Sequence, residues 1–291
     1  MHIKTSHIKS IISLALLLLF AWAPTLEAKR TEDVTIPFEL INGMIIMNLE
    51  VDGKQGAFLL DTGADAILID GIPKKVSGEG VSTLGGEVAV EMRELANLKI
   101  GSLVQYGVSV QVMSLSLLEQ NLGIDLFGII GGAYFMPRSL CMDFTTSTIT
   151  ISDKPFGKKT VKGLSVTKFD MVHGIPIVPV KIGDQVYNFA MDSGASTHFI
   201  HDGLFGTMTG LTKKETSTNI ISANHISKEV FRYQLAELTL GKVTFENQDC
   251  LPQNFDDINA QLEKPIAGLL SLSAFAKDKV IIDFKKKRMY F

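Results

Sequence analysis

Two short stretches of this chain have the residue types and spacing to do chemistry together: Phe58-Leu59-Leu60-Asp61-Thr62-Gly63-Ala64 and Phe189-Ala190-Met191-Asp192-Ser193-Gly194-Ala195. Each is an apolar strand that runs into an Asp, a hydroxyl residue and a Gly. A carboxylate at the end of a buried strand is costly unless hydrogen bonds or catalytic work hold it there. Two of them in the same local setting suggest that the carboxylates meet. Carboxyls in contact cannot both ionise easily, so the pair holds one proton between its members. The ionised member can take a proton from water while the protonated one donates to a carbonyl oxygen. Amide hydrolysis needs both, because water is a weak nucleophile and an amine a poor leaving group. One chance match to Asp-Thr/Ser-Gly-Ala is expected in roughly a few per cent of chains this long, and two registered matches are far rarer.

The flanking types fit the same purpose. Gly63 and Gly194 allow a close backbone approach that a β-carbon would hinder, and the N–H groups there can hold the carboxylates coplanar. Together with the later Gly128-Ile129-Ile130-Gly131, these motifs resemble the aspartic peptidases of the retropepsin and pepsin type, marked by Asp-Thr/Ser-Gly followed by apolar-apolar-Gly. The resemblance implies Asp61 and Asp192 as a catalytic dyad, with Thr62 and Ser193 bonding to the opposite loop and Gly63, Ala64, Gly194 and Ala195 supporting the carboxyls. It also implies a Gly-rich flap over Gly80 to Val90, with Gly85 and Gly86 at its tip. The fold expected from it is all-β, with two retropepsin-like (pepsin-type) β-barrel lobes in one chain and a cleft between them. No metal and no organic cofactor is implied. The partner would be a peptide or protein substrate, bound in extended form by strand-like pairing. Both motifs lie on one chain, so a monomer is expected where retropepsins need two chains. The second support, Gly268-Leu269-Leu270-Ser271, departs from the pattern at Ser271. The alternative is a catalytically inactive peptide-binding or scaffold protein that retains the fold.

The elements that must position these residues recur. Asp61 and Asp192 are offset by 131 (192 − 61), and at that offset Gly43 falls on Gly174, Phe58 on Phe189 and Ile69 on Ile200. Further on the offset is 140 (283 − 143): Leu95 falls on Leu235, Gly128 on Gly268, Phe135 on Phe275, and Asp143-Phe144 on Asp283-Phe284. Order of this kind reads as a duplicated unit. Nine extra residues (140 − 131) then lie in the second copy between Ile200 and Leu235, where its own flap, roughly Glu215 to Val230, belongs. Apolar runs at 44–51 and 56–60 around Asp52-Gly53 read as a hairpin. Further short strands are expected at 66–69, 87–92, 95–100, 103–112 and 147–151. One or two helical turns are expected at 114–121, and another at 132–137. Residues up to Thr35 read as a polar lead-in.

Composition bounds the rest. With 291 residues, 46% of them hydrophobic, the chain can bury a sizeable core. A net charge of −3 gives no basic field for nucleic acid. Lys4 and Lys9, the apolar run Ile11 to Phe20 and the small residues up to Ala28 read as an export signal over 1–28. An exported protein, periplasmic or extracellular, is expected, or a membrane-anchored one if the signal stays uncleaved. The organisation expected is then a lobe over 29–152, a linker over 153–165 and a second lobe over 166–291. Cys141 and Cys250 occupy unrelated places in the repeat, so a pair and two buried thiols both stay open. His198 and His201 fall on opposite faces of one strand, which argues against a metal pair. Asp143 and Asp283 read as turn closers, Asp65 and Asp70 as solvent-facing charges, and Lys285 to Arg288 as a solvated turn.

Overall fold

A computed structural model describes residues 33–74, 81–83, 86–221, 227–275 and 278–291. The proposed signal segment lies outside them. The first half runs through β1 (Val34–Ile41), β2 (Met44–Val51), β3 (Lys54–Asp61), β4 (Ile67–Asp70), the hairpin β5 (Val81–Thr83) and β6 (Gly86–Val88), β7 (Glu91–Ile100), β8 (Leu103–Met113), helix α1 (Ser116–Leu122), β9 (Gly128–Gly131), β10 (Ser139–Asp143) and β11 (Thr148–Ser152). The second half follows with β12 (Val166–Lys168), β13 (Asp170–Val172), β14 (Ile175–Ile182), β15 (Gln185–Asp192), β16 (His198–His201), β17 (Leu211–Ile221), β18 (Ser227–Leu240), β19 (Val243–Gln253), helix α2 (Asp256–Asn259), β20 (Gly268–Ser271), β21 (Lys279–Asp283) and β22 (Arg288–Tyr290). Residues 153–165 carry neither strand nor helix.

The turns explain much of the local order. Asn42-Gly43 and Asp52-Gly53 all take positive φ and close two-residue hairpins between β1 and β2 and between β2 and β3. That is the geometry an Asn-Gly or Asp-Gly pair favours, since its twist matches that of the flanking strands. Strand β1 starts at Val34, inside the expected polar lead-in, which corrects that reading. Its V-T-I-P-F-E-L-I sequence buries alternate residues as far as Phe38, the period-2 signature of a half-buried strand.

Pairing runs β2-β3-β9-β4-β8-β7 and closes where β7 returns to β2; the second half repeats it as β14-β15-β20-β16-β19-β18, closed by β18 on β14. Closure leaves no free edge in either barrel. The molecule is all-β with two pepsin-type lobes. Between the barrels lies a sheet in the order β1-β11-β10-β21-β22-β12. At its middle β10 pairs antiparallel with β21, and Cys141 stands opposite Ile281, its own counterpart at offset 140. A local two-fold axis therefore passes between them. The same symmetry relates edge-to-face aromatic pairs: Phe38–Phe144 at 5.6 Å in one half and Phe169–Phe284 at 6.2 Å in the other. Both cysteines are buried free thiols, pushed up to about 11 at Cys141 and about 12 at Cys250 by burial.

One core runs through both lobes, with Phe58, Leu60, Ile130 and Phe135 in the first and Phe189, Met191, Leu270 and Phe275 in the second. Beneath each motif the supporting strand starts at a glycine that nothing larger can replace. A Cβ on Gly128 would collide with the Leu68 carbonyl oxygen and come within 2.7 Å of the Phe58 ring. Gly128→Ala is expected to cost about 3 kcal/mol or more of unfolding free energy, the upper end for forced overpacking. Urea denaturation reads this directly, and a cost under 1 kcal/mol would mean the strand has slack (about one methylene's worth).

Candidate active site

Asp61 ends β3 and Asp192 ends β15, and each strand lies parallel to its support, with Asp61 opposite Gly131 and Asp192 opposite Ser271. Both strand ends meet at the junction of the barrels. The two motifs then lock into one another. The Thr62 hydroxyl donates to the Met191 carbonyl at 2.9 Å and accepts from the Ser193 N–H at 3.1 Å. The Ser193 hydroxyl donates to the Leu60 carbonyl at 2.7 Å and accepts from the Thr62 N–H at 3.0 Å. Four hydrogen bonds between residues 129 to 133 positions apart thus cross the lobe boundary. Both side chains are buried, Thr62 completely. An unpaired polar group at such a depth would be costly, so the bonds make each motif depend on the other.

Each carboxylate also accepts a hydrogen bond from within its own loop: Gly63 N–H to Asp61 Oδ1 at 2.8 Å, and Gly194 N–H to Asp192 Oδ1 at 2.7 Å. The glycines serve a second purpose across the boundary. A Cβ on Gly63 would stand 3.0 Å from the Asp192 Cγ, and one on Gly194 would stand 2.8 Å from the Asp61 Cγ. Each carboxyl therefore rests against the glycine of the opposite motif, and the two carboxyls interact directly.

The electrostatics are uneven. Burial raises Asp61, opposed by the Gly63 N–H, the bond with Asp192 and the Ala64 N–H. Asp192 is raised well above the ordinary carboxylate range, first by burial, then by the Asp61 charge and the bond with Asp61; the Gly194 and Ala195 N–H groups oppose this. The pair keeps one proton to higher pH than a lone aspartate, shared between the two carboxyls.

Beside the second motif opens a cleft of about 660 Å³, lined by Asn42 and Asn121 from the first lobe and by Gly194, His198, Thr218 and Arg232 from the second. The β1–β2 turn reaches over this motif, where a Cβ on Gly43 would stand 3.2 Å from the Ser273 Cβ; in the matching turn a Cβ on Gly174 would stand 3.2 Å from the Asp65 Cβ. Partial desolvation beside this turn raises the Asp65 pKa against the pull of its own backbone N–H and of His173. Asp65 is solvent-facing, as its place beside the motif suggests. Asp70, also exposed, accepts the Leu115 N–H at 2.8 Å ahead of α1.

Of the expected flap, β5 and β6 form a hairpin in which Thr83 stands opposite Gly86; Gly85 lies outside the described residues. Strand β5 comes within 8 Å, Cα to Cα, of helix α2 in the other lobe. The second lobe instead carries the long hairpin β17–β18, bulged between Lys213 and Ser217, in the region of the nine extra residues. Its Thr218 to Ile220 line the cleft, so the two sides differ. Asp143 accepts the Thr145 N–H and Asp283 the Lys286 N–H, each closing a turn. Among the described residues no cluster of three metal-ligating side chains occurs, and no helix is long and apolar enough to cross a membrane.

One residue escaped the sequence reading. His198 is buried, and its Nδ1 accepts the Ser271 N–H at 3.1 Å. The signal was present as the Ser271 departure, but its partner lies 73 residues away.

Residues 178–274, which hold the second motif and its support, match the family model described as aspartyl protease. Among solved structures, the chain is similar to an aspartic proteinase from Irpex lacteus, with 11% identity over 89% of this chain and 96% of that one and a TM-score of 0.54. It is similar also to the basic 7S globulin from soybean, with 12% identity over 90% and 95% and a TM-score of 0.52. At these identities the likeness is one of fold. No curated protein sequence matches the chain.

Proposed function

We propose that this chain, a protein of the retropepsin and pepsin-like aspartic peptidase type, is an exported endopeptidase that uses Asp61 and Asp192 to activate a water against a peptide bond. The observation that carries this reading is the reciprocal lock of Thr62 and Ser193, which holds the Asp61 and Asp192 carboxyls together, each against the glycine of the opposite motif. A structural pair of aspartates would gain nothing from sharing a proton at such depth, and a catalytic pair needs to.

In the reaction, ionised Asp61 takes a proton from water as the water oxygen bonds to the carbonyl carbon. Protonated Asp192 gives its proton to the carbonyl oxygen, leaving a neutral tetrahedral diol. Asp61 then passes its new proton to the amide nitrogen as the C–N bond breaks, and Asp192 recovers a proton from the diol hydroxyl. The dyad ends as it began. The substrate would lie extended along the cleft, with the β5–β6 hairpin and β17–β18 closing over it from opposite lobes. The proposed organisation is that read from the sequence: a signal over 1–28, lobes over 29–152 and 166–291, and a linker over 153–165. The common strand order of the barrels supports an origin by duplication.

Incubating the chain from residue 29 onward with a diverse peptide library from pH 3 to pH 8 tests this, with products identified by mass spectrometry. Internal cleavage of extended peptides is expected. Folded protein that binds peptides and cuts none at any pH would favour the second reading, a binding module. The likeness to a protein named as a globulin keeps that reading in view. A monomer is expected in light scattering, since both motifs and their lock belong to one chain; an obligate dimer would count against an intramolecular dyad.

A further inference from the structure

The two lobes differ at one place directly behind the dyad. In the first, the Gly131 N–H donates to the Ala66 carbonyl at 3.0 Å. Contact there is so close that a Cβ on Gly131 would collide with the Ala66 oxygen and sit 2.6 Å from the Ala64 oxygen. In the second lobe the same position is Ser271, wholly buried, so the motif loop cannot approach in the same way. The serine hydroxyl instead donates to the Ala195 carbonyl at 2.6 Å, and its N–H finds His198 Nδ1 at 3.1 Å. Position 198 corresponds to Ile67 of the first lobe, whose side chain could accept nothing.

We infer that His198 and Ser271 are a matched pair, and that His198 is a positioning residue which holds the Asp192 loop as its neutral, Nε2-protonated tautomer. The inference rests on the peptidase reading for its effect on catalysis, though not for the bond itself. Because Nδ1 accepts the Ser271 N–H, the ring proton belongs on Nε2, which faces the Gln248 Oε1 at 3.4 Å. Protonating the ring would put a donor on Nδ1 against the Ser271 donor and break the tie. Burial holds His198 down at about 4, against a smaller upward pull from Gln248. The titratable and charged groups on the elements around it are Asp192 in the motif, Glu246, Asp249 and Cys250 on β19, Lys228, Glu229, Arg232, Tyr233 and Glu237 on β18, and His201 at the end of its own strand. Cys250, directly opposite His198, stays neutral. Strand β20 carries no ionisable side chain.

The test is a four-cornered cycle on the chain from residue 29 onward: parent, His198→Ile, Ser271→Gly and the double variant, which recreates the first-lobe pair. Thermal unfolding, kcat and KM are measured for each, with long-range 15N–1H spectra of the imidazole in the parent. His198→Ile strands a buried N–H behind a serine that blocks its alternative partner. It is expected to lower Tm and to cut kcat about tenfold or more with KM little changed. The double variant should recover to within about threefold of the parent, since a glycine N–H can reach the loop carbonyl again. The loss of activity at low pH should be one proton steeper in the parent than in the double variant, because only the parent carries His198, held at about 4. The imidazole should read as the Nε2–H tautomer at neutral pH. A His198→Ile variant as stable and active as the parent, a double variant no better than His198→Ile, or an Nδ1–H tautomer would each overturn the inference. If the parent cleaves nothing, the peptidase reading fails, while the Tm cycle and the tautomer still decide this one. Should His198→Ile fail to fold, His198→Asn, which keeps a side-chain acceptor, takes its place and is expected to retain more of the parent Tm than His198→Ala.

Discussion

Asp192→Asn is expected to abolish peptide cleavage and to raise the melting temperature at the same time. Activity should fall by at least about 10³-fold, because the variant can neither hold nor return the proton that the carbonyl oxygen requires. Stability should move the other way. Burial, the Asp61 charge and the bond with Asp61 raise the Asp192 carboxyl well above its ordinary value. A folded-state pKa raised in this way means the folded chain keeps a proton that the unfolded chain has lost. Stability therefore declines as pH rises from about 4 through the folded value. Asparagine removes that dependence and keeps an oxygen for the Gly194 N–H, which now bonds at 2.7 Å. It also leaves Asp61 without a like charge beside it. The gain in Tm should be small at pH 4 and larger at pH 7, with roughly 2–4 °C for each kcal/mol regained. Calorimetry at the two pH values, beside a cleavage assay, checks both halves. Retained cleavage would remove Asp192 from the chemistry, and an equal Tm gain at both pH values would remove the raised carboxyl from the stability argument.

That opposition between function and stability was visible in the sequence because its cause is local. An apolar strand, an Asp, a hydroxyl and a Gly are contiguous, and contiguity is what a sequence displays. The supports Gly128 to Gly131 and Gly268 to Ser271 were legible for the same reason, and so were the Asp52-Gly53 hairpin and the turn-closing Asp143 and Asp283. The strand order of the barrels followed from the family resemblance more than from pattern, since β3–β9 and β15–β20 join segments far apart in the chain. What the sequence hid was non-local. The start of β1, Val34 and Thr35, reads as lead-in because the strand's polar residues face solvent and its two partners, β11 and β2, each cover only half of it. The pairing of Cys141 with Ile281 depends on the two-fold axis and on no motif. His198 looked like an ordinary strand residue because its partner is a backbone N–H, and no side-chain code announces that. The Ser271 departure was plain, but whether it weakened the second lobe depended on a compensating acceptor that only folding brings near.

The lock between the motifs gives the second large effect, and it separates positioning from chemistry. Ser193→Ala leaves Asp61 and Asp192 in place but strands the Thr62 N–H and the Leu60 carbonyl, both now satisfied by the Ser193 hydroxyl at 3.0 and 2.7 Å. Thr62 is fully buried and Ser193 nearly so, so water cannot easily replace the lost partner. Each stranded group costs about 1–3 kcal/mol, which sets the expected loss at about 2–6 kcal/mol. Activity should fall with it, because the loss acts on the spacing of the carboxyls and not on either carboxyl. Ser193→Thr is the control. It restores the residue found at the matching place in the first lobe, where the Thr62 methyl is already accommodated at full burial. That variant keeps the hydroxyl and all four bonds, so it should lose less than the alanine variant, with only the added methyl to accommodate, a cost of about 1 kcal/mol at the lower end for added volume in a packed site. Urea denaturation of the three chains gives the comparison. If the alanine variant unfolds at the same midpoint as the threonine variant, the four cross-lobe bonds are incidental to stability. A loss confined to alanine, with cleavage falling in step, would mean that the hydroxyls hold the lobes, and that the spacing of the carboxyls is set from behind by Thr62 and Ser193.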